Sequence, residues 1–145
     1  MKVEINEDMF DPWRELAAYQ QQRAELHKAA GATAVFVGTM RDFNDGNTVH
    51  SMVLEHYPAM TQQYLQRMVE QSMTASELLD VLVLHRVGKI FPGQPIVLVA
   101  TWSAHRAVAL TACRDIMEQL KAKAPFWKQE MTVDGTRWVE HNTPG

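Results

Sequence analysis

The hydrophobic pattern begins with a short apolar run and a longer amphipathic stretch. The run "KVEI" (2–5) predicts a strand. Asp11 and Pro12 follow, and they suit the N-cap and the first position of a helix. This helix is predicted to continue through "WRELAAYQQQRAELHKA" (13–29), and Gly31 is well placed to end it.

Two further apolar runs indicate a pair of strands. The run "ATAVFVG" (32–38) is rich in β-branched and apolar residues and predicts a buried strand. The run "TVHSMVLEHY" (48–57) predicts a second one. Asp45-Gly46 lies between them and is a strong turn signal. We therefore expect these two strands to form a hairpin with a long, charged loop.

Helical periodicity returns after Pro58. Apolar residues recur there at helical spacing and are interpreted as core side chains: Met60, Tyr64, Leu65, Met68 and Val69. Two strands, "DVLVLHRVG" (80–88) and "PIVLVATW" (95–102), then flank a Pro-Gly turn.

The last third of the chain predicts a helix and a short strand. The helix is expected from Ser103, its N-cap, to about Lys123, because Pro125 prevents its continuation. Phe126, Trp127 and Lys128 are then expected in a loop. The stretch "TRWVEH" (136–141) predicts a final strand. Strands outnumber helices, so the fold class is predicted to be α+β with a largely antiparallel sheet.

Composition narrows the class of protein. The 145 residues, 46% of them hydrophobic, suffice for a single domain (1–145) with a core that needs no disulfide. The charged N-terminus and the absence of an apolar run of roughly 18 residues predict a cytoplasmic protein outside the membrane. A net charge of −3 argues against nucleic-acid binding. The only cysteine, Cys113, gives no CxxC motif.

Charge is distributed unevenly, however. The segment 103–128 carries five cations, Arg106, Arg114, Lys121, Lys123 and Lys128, against Asp115 and Glu118. Such a concentration favours a compact anion site, although scattered lysines on a solvated helix face explain it about as well.

Individual cations remain ambiguous at this point. His105 and Arg106 fall in the predicted first turn of a helix, where a positive charge is disfavoured unless an anion binds there. A salt bridge to an acidic neighbour would explain Arg106 equally well. Arg41 suits either an anion contact or a loop salt bridge, and periodicity does not rank the three lysines of "LKAKAPFWK".

The histidines show no metal-binding spacing, since neither HExxH nor a Cys/His pattern occurs. No metal site is therefore expected. His85 and Arg86 end an apolar strand and are interpreted as structural residues.

Three blocks resemble a known family: "GTMRDFNDGNTVHSMVLEHYPAMT", "LHRVGKIFPGQPIVLVATWSAHRAVA" and "LKAKAPFWKQEMTVDGTRWVE". They are similar, in order from Gly31 to Glu140, to the MoaE family, the large subunits of molybdopterin synthase. The resemblance implies an α/β hammerhead-type fold with an added small antiparallel subdomain. It also implies a sulfurtransferase that converts cyclic pyranopterin monophosphate (precursor Z) to molybdopterin, for molybdenum cofactor biosynthesis.

The resemblance further implies a partner and an assembly. Sulfur would arrive as a thiocarboxylate on the C-terminal Gly-Gly tail of a small ubiquitin-like subunit. The large subunits would form a homodimer within a heterotetramer. Delivery of sulfur by the partner agrees with the lack of a catalytic cysteine pair in this chain. The enzyme itself would require no cofactor.

Site residues follow from the resemblance position by position. Lys121 and Lys128 match the catalytic positions, and Lys121 matches the lysine beside the thiocarboxylate carbon. The resemblance assigns these residues to the substrate pocket: Thr39, Met40, Arg41, His105, Arg106, Lys121, Lys128, Gln129 and Glu130.

One position departs from the family pattern. Members often have "GKVR" where this chain has "GTMR", so Thr39 replaces a lysine. This difference leaves open a non-catalytic, anion-binding or scaffold paralogue of the same fold. An unrelated phosphate-ester enzyme is a weaker alternative, because it leaves the matching blocks unexplained.

Overall fold

The computed structural model describes residues 1–44, 46–132 and 134–139, which form two β-sheets and four helices. No helix among these residues is long and apolar enough to span a bilayer. The helices are α1 (Pro12–Gln22), α2 (Ala24–His27), α3 (Pro58–Ala75) and α4 (Arg106–Lys123). The strands are β1 (Lys2–Asn6), β2 (Ala32–Thr39), β3 (Phe43–Asn44), β4 (Asn47–His56), β5 (Asp80–Arg86), β6 (Gly88–Ile90), β7 (Pro95–Ser103), β8 (Phe126–Thr132) and β9 (Gly135–Trp138).

The first sheet has the strand order β1-β5-β7-β2 and lies between two helical layers. β5 and β7 are antiparallel, as are β7 and β2, whereas β1 is parallel to β5. Side chains alternate between the faces of a strand. Val81 and Val83 of β5 therefore pack in the core with α3 and α4, while Leu82 and Leu84 pack on the other face with Tyr19 of α1.

The second sheet is antiparallel and is organised around β4. β4 pairs with β3 and β6 and also with β8, and β9 pairs with β8. A small core of its own contains Met52, Leu54 and Ile90. The predicted α+β class, with an additional antiparallel unit, is confirmed.

The predicted hairpin between 32–38 and 48–57 is wrong. β2 pairs with β7, whereas β4 belongs to the second sheet. The turn signal is local: Asn44 pairs with Asn47, so a two-residue connection joins the short β3 to β4. Gly46 has a φ of +78°, which suits such a turn. Asp45 lies outside the described residues, as do Glu140 and His141 at the end of the predicted last strand.

Three local predictions also need correction. The first helix stops at Gln22, and a short α2 follows after Arg23, which has a φ of −112°. Ser103 belongs to β7, and the N-cap of α4 is His105. Lys128 lies in β8 rather than in a loop, because residues 126–132 pair with β4.

A charged cluster anchors α1 and α2 to the first sheet. The Asp80 carboxylate is fully buried and lies 2.8 Å from Tyr19 Oη, 2.8 Å from His27 Nε2 and 3.2 Å from Arg23 Nε. Burial alone would raise the pKa of Asp80. The hydrogen bonds from His27 and Tyr19, together with the N-terminal ammonium of Met1 at 3.1 Å, outweigh that effect, so the pKa is lowered.

Candidate active site

A cavity of about 620 Å³ opens where the two sheets meet the C-terminal end of α4. Phe36 and Val37 of β2, Met52 and Leu54 of β4, and Leu120 of α4 supply part of its apolar wall. Apolar walls with a few polar groups are typical of small-molecule sites.

Three cations among the described residues line this cavity and come from three different parts of the chain. Lys121 lies in the last turn of α4, Lys128 in β8, and Arg41 two residues after the end of β2. Pro125 brings the lysines together: Ala124 before it is extended, so the helix ends and the chain returns as β8. Burial, with the positive charges of Lys121 and Arg41, lowers the pKa of Lys128.

A buried carboxylate, Glu130 of β8, lines the same cavity as Lys128. Glu130 Oε1 accepts a hydrogen bond of 2.7 Å from Asn44 Nδ2, and Oε2 lies 3.1 Å from Arg137 Nη2. The same Arg137 nitrogen donates to the Asn44 carbonyl oxygen over 2.9 Å. Glu130 thus ties β8 to β3 and β9, and both of its oxygens are engaged by protein groups.

Six of the residues assigned by resemblance line the cavity together: Thr39, Met40, Arg41, Lys121, Lys128 and Glu130. Gln129 does not line it. Successive side chains of β8 alternate, so Gln129 lies on the face opposite Lys128, beside Trp138 of β9.

His105 and Arg106 lie far from this cavity within one chain. Both are exposed, at the N-terminal end of α4, whereas Lys121 is at its C-terminal end. With a rise of 1.5 Å per residue, the backbone positions of Arg106 and Lys121 are about 22 Å apart. The assignment of these two residues to the pocket stays a prediction.

Several cavity residues were not predicted from the sequence, among them His85, Met117 and Phe126. A signal for His85 was present. It shares strand parity with Val81 and Val83, so it had to lie on the same face of β5. Nothing in the sequence alone indicated that this face reaches a cavity at its end.

Cys113 is not suited to sulfur chemistry. It is buried against β7, and burial raises the pKa of its thiol to about 11. Among the described residues, no three His, Cys, Asp or Glu side chains are grouped to hold a metal ion. The cavity is instead suited to bind an anion and to stabilise negative charge that develops during a reaction.

Comparison with known proteins agrees with the resemblance. The family model described as "MoaE protein" matches residues 6–123. A molybdopterin synthase catalytic subunit from Ralstonia nicotianae is 48% identical over 138 residues, which are 95% of this chain and 76% of that relative.

Solved structures show the same fold. The molybdopterin biosynthesis MoaE protein from Burkholderia ambifaria is 39% identical and has a TM-score of 0.79, covering 99% of this chain and 92% of that one. A complex of subunits 1 and 2 of molybdopterin-converting factor from Helicobacter pylori is 21% identical, with a TM-score of 0.79 over 97% and 92% of the two chains. With the family model spanning most of its length and a close relative covering nearly all of it, the chain belongs to the MoaE family.

Proposed function

We propose that this chain is the sulfur-transferring subunit of a molybdopterin synthase, acting on cyclic pyranopterin monophosphate with a thiocarboxylated small subunit as sulfur donor. The observation that carries the proposal is the convergence of Lys121, Lys128 and Arg41 on one partly apolar cavity. Guanidinium and ammonium groups suit a substrate phosphate and a terminal thiocarboxylate. The structural neighbour from Helicobacter pylori was solved as a complex of two subunits, which supports a second subunit as partner.

The chemistry needs charge stabilisation and proton transfer rather than a protein nucleophile. In each transfer the thiocarboxylate sulfur takes the place of an oxygen substituent on a side-chain carbon of the pterin, so a C–S bond forms as a C–O bond breaks and the oxygen leaves as water or remains on the phosphate. Water then cleaves the acyl–sulfur bond, so the sulfur stays on the pterin and the tail leaves as a carboxylate. Negative charge develops on the acyl oxygen, where the Lys121 ammonium would stabilise it. Burial and the cationic neighbours of Lys128 lower its pKa, which makes its ammonium a better proton donor than an exposed lysine.

A turnover assay tests this proposal. The purified chain, with the small subunit carrying a C-terminal thiocarboxylate, should convert cyclic pyranopterin monophosphate to a dithiolene product. Formation of a stable complex without any conversion would instead identify a scaffold paralogue, the alternative that Thr39 keeps open. A small subunit ending in an ordinary carboxylate is the matched control and should give no product.

The distance between Arg106 and Lys121 also favours a homodimer. β2 is an edge strand of the first sheet, and its Val35 and Phe36 side chains are exposed. Its Ala32 end pairs with Ser103, close to His105, and its Thr39 end lies at the cavity. Antiparallel pairing of two β2 edges about a two-fold axis would therefore bring His105 and Arg106 of one copy to the cavity of the other.

Mixing two inactive variants tests this arrangement. Lys121→Ala and Arg106→Ala homodimers would each be impaired at both cavities. In a mixed dimer one cavity would combine an intact Lys121 with an intact Arg106 from the second copy. Equal mixing should then restore about a quarter of wild-type activity, because half of the dimers are mixed and each has one intact cavity. If Arg106 acts within its own chain, mixing will restore nothing.

A further inference from the structure

His85 ends the row of β5 side chains that faces α3 and α4. The preceding members of the row, Val81 and Val83, are fully buried in the core. His85 lines the cavity and is 8% exposed. An imidazole thus occupies the position where the row leaves the core and reaches the site.

Two contacts fix the orientation and the tautomer of this ring. Nδ1 lies 2.8 Å from the carbonyl oxygen of Arg86. A carbonyl oxygen only accepts hydrogen bonds, so Nδ1 must carry the proton and Nε2 must carry the lone pair. The ring also stacks on Phe126, with centroids 4.1 Å apart and planes 12° from parallel. The distal edge of the ring therefore presents a hydrogen-bond acceptor.

The surroundings keep this acceptor neutral. Burial lowers the pKa of His85 to about 4, and the positive charge of Lys128 in β8 and the neighbouring His56 in β4 add to that effect. Lys121 of α4 and Arg41 line the same cavity. A second proton on His85 would thus face a buried, cationic environment, and the ring accepts a hydrogen bond through Nε2 at any pH above about 5.

We propose that His85 is a specificity-determining residue, whose Nε2 accepts a hydrogen bond from an N–H group of a nitrogen-rich heterocycle bound in the cavity. The cations and His85 would recognise different parts of the ligand. Guanidinium and ammonium groups select the anionic part of the ligand, whereas a neutral acceptor selects a ring N–H. This inference rests on the proposed function, since it takes the substrate to be a pterin phosphate.

Three substitutions of His85 test separately the contributions of its two ring nitrogens and of its stacking on Phe126. His85→Gln places a side-chain oxygen near the position of Nε2. His85→Asn keeps an N–H donor for the Arg86 carbonyl but has no group at Nε2. His85→Phe keeps the stack on Phe126 and removes both nitrogens. Thermal unfolding of each variant establishes which of them are folded.

Calorimetric binding of cyclic pyranopterin monophosphate, without the sulfur donor, is the measurement. Losing one hydrogen bond should weaken binding by the Asn and Phe variants about 3- to 10-fold, while Gln should stay within about 3-fold of wild type. Binding of inorganic phosphate should be the same in all folded variants, because the cations are unchanged. Equal pterin affinity for the Asn and Gln variants would overturn the role of His85 while leaving the proposed function intact.

A ligand-free measurement tests the same inference independently. ¹⁵N NMR of the wild-type protein at pH 7 should show an unprotonated Nε2 and a protonated Nδ1 for His85, and the Nε2 resonance should move when the pterin is added. A protonated Nε2 would overturn the proposal even if the enzyme turns over. Failure of the wild type to bind the pterin at all would overturn both this inference and the proposed function.

Discussion

Arg137→Ala should destabilise the fold because it leaves the buried Glu130 carboxylate without its counter-charge. Glu130 is buried, and its side chain is 7% exposed, whereas that of Arg137 is 33% exposed. Truncating Arg137 removes the contacts of 3.1 Å and 3.4 Å to Glu130 Oε2 and the bond of 2.9 Å to the Asn44 carbonyl. The hydrogen bond from Asn44 Nδ2 to the carboxylate would remain.

The magnitude follows from the burial of the pair. Removing one partner of a fully buried ion pair costs about 3–5 kcal/mol, and an exposed pair contributes about 0–1 kcal/mol. Because a third of the Arg137 side chain is exposed, water can partly replace it, and we expect a loss of about 2–3 kcal/mol in the free energy of unfolding. For a domain of this length, that loss lowers the Tm by roughly 10 °C.

A double-mutant cycle measures the pair. Urea unfolding of Arg137→Ala, Glu130→Gln and the double variant should show coupling above about 1 kcal/mol, because the neutral amide no longer needs the guanidinium. Arg114→Ala, at an exposed position of α4, is the matched control and should stay within about 0.5 kcal/mol of wild type. An Arg137→Ala variant as stable as this control would refute the reasoning.

Three further predictions concern separate parts of the molecule. Lys121→Ala should abolish dithiolene formation in the turnover assay and leave binding of the small subunit intact. Lys123→Ala, in the same helical turn but exposed, is the control and should change little. Equal losses of activity in the two variants would contradict the assigned roles. Asp80→Asn should destabilise the fold by about 3 kcal/mol in chemical unfolding at pH 7, since Arg23 and the N-terminal ammonium of Met1 lose their buried counter-charge. The folded pKa of Asp80 lies below its unfolded value of about 3.9, so its contribution to stability is complete above that pH and declines as the pH falls through the folded pKa. The Asn variant should therefore lose less free energy of unfolding in acid than the wild type. Parallel profiles of stability against pH for the two proteins would refute this role of Asp80. Cys113 should react with iodoacetamide at pH 8 only on unfolding, as followed by mass spectrometry, and fast labelling of the folded protein would contradict its burial.

Local signals in the sequence predicted local structure well. Proline at the start of α3 and the spacing of Leu65, Met68 and Val69 gave a helix that the structure confirms. Met60, from the same set, is exposed rather than buried, because the buried face of α3 is formed by Thr61, Leu65, Met68 and Val69 and Met60 lies off that face. β5 and β7 were likewise visible as apolar runs.

Predictions that depended on distant partners fared less well. The apolar run of β2 shows that it is a strand but not that β7 is its neighbour, since pairing depends on which face each strand buries. Lys128 was predicted in a loop because the proline break is a local signal, whereas β8 is stabilised by pairing with β4, far away in sequence. Six of the site residues assigned by the resemblance lie at one cavity, but charge and spacing alone did not indicate which of the lysines is functional. The single domain, the cytoplasmic location and the independence from cofactors stay predictions.

The two polar ends of β5 have a consequence for folding. All seven residues of the strand are buried, and a run such as Val-Leu-Val-Leu offers little to distinguish one alignment with β7 from the next. A slip by one residue would turn every side chain to the opposite face. It would carry Asp80 into the aliphatic layer beneath α3 and α4, away from Tyr19, Arg23 and His27, and would withdraw His85 from the cavity. Burying the carboxylate without these partners would cost free energy, so Asp80 disfavours the misaligned pairing and, with it, the misplacement of His85.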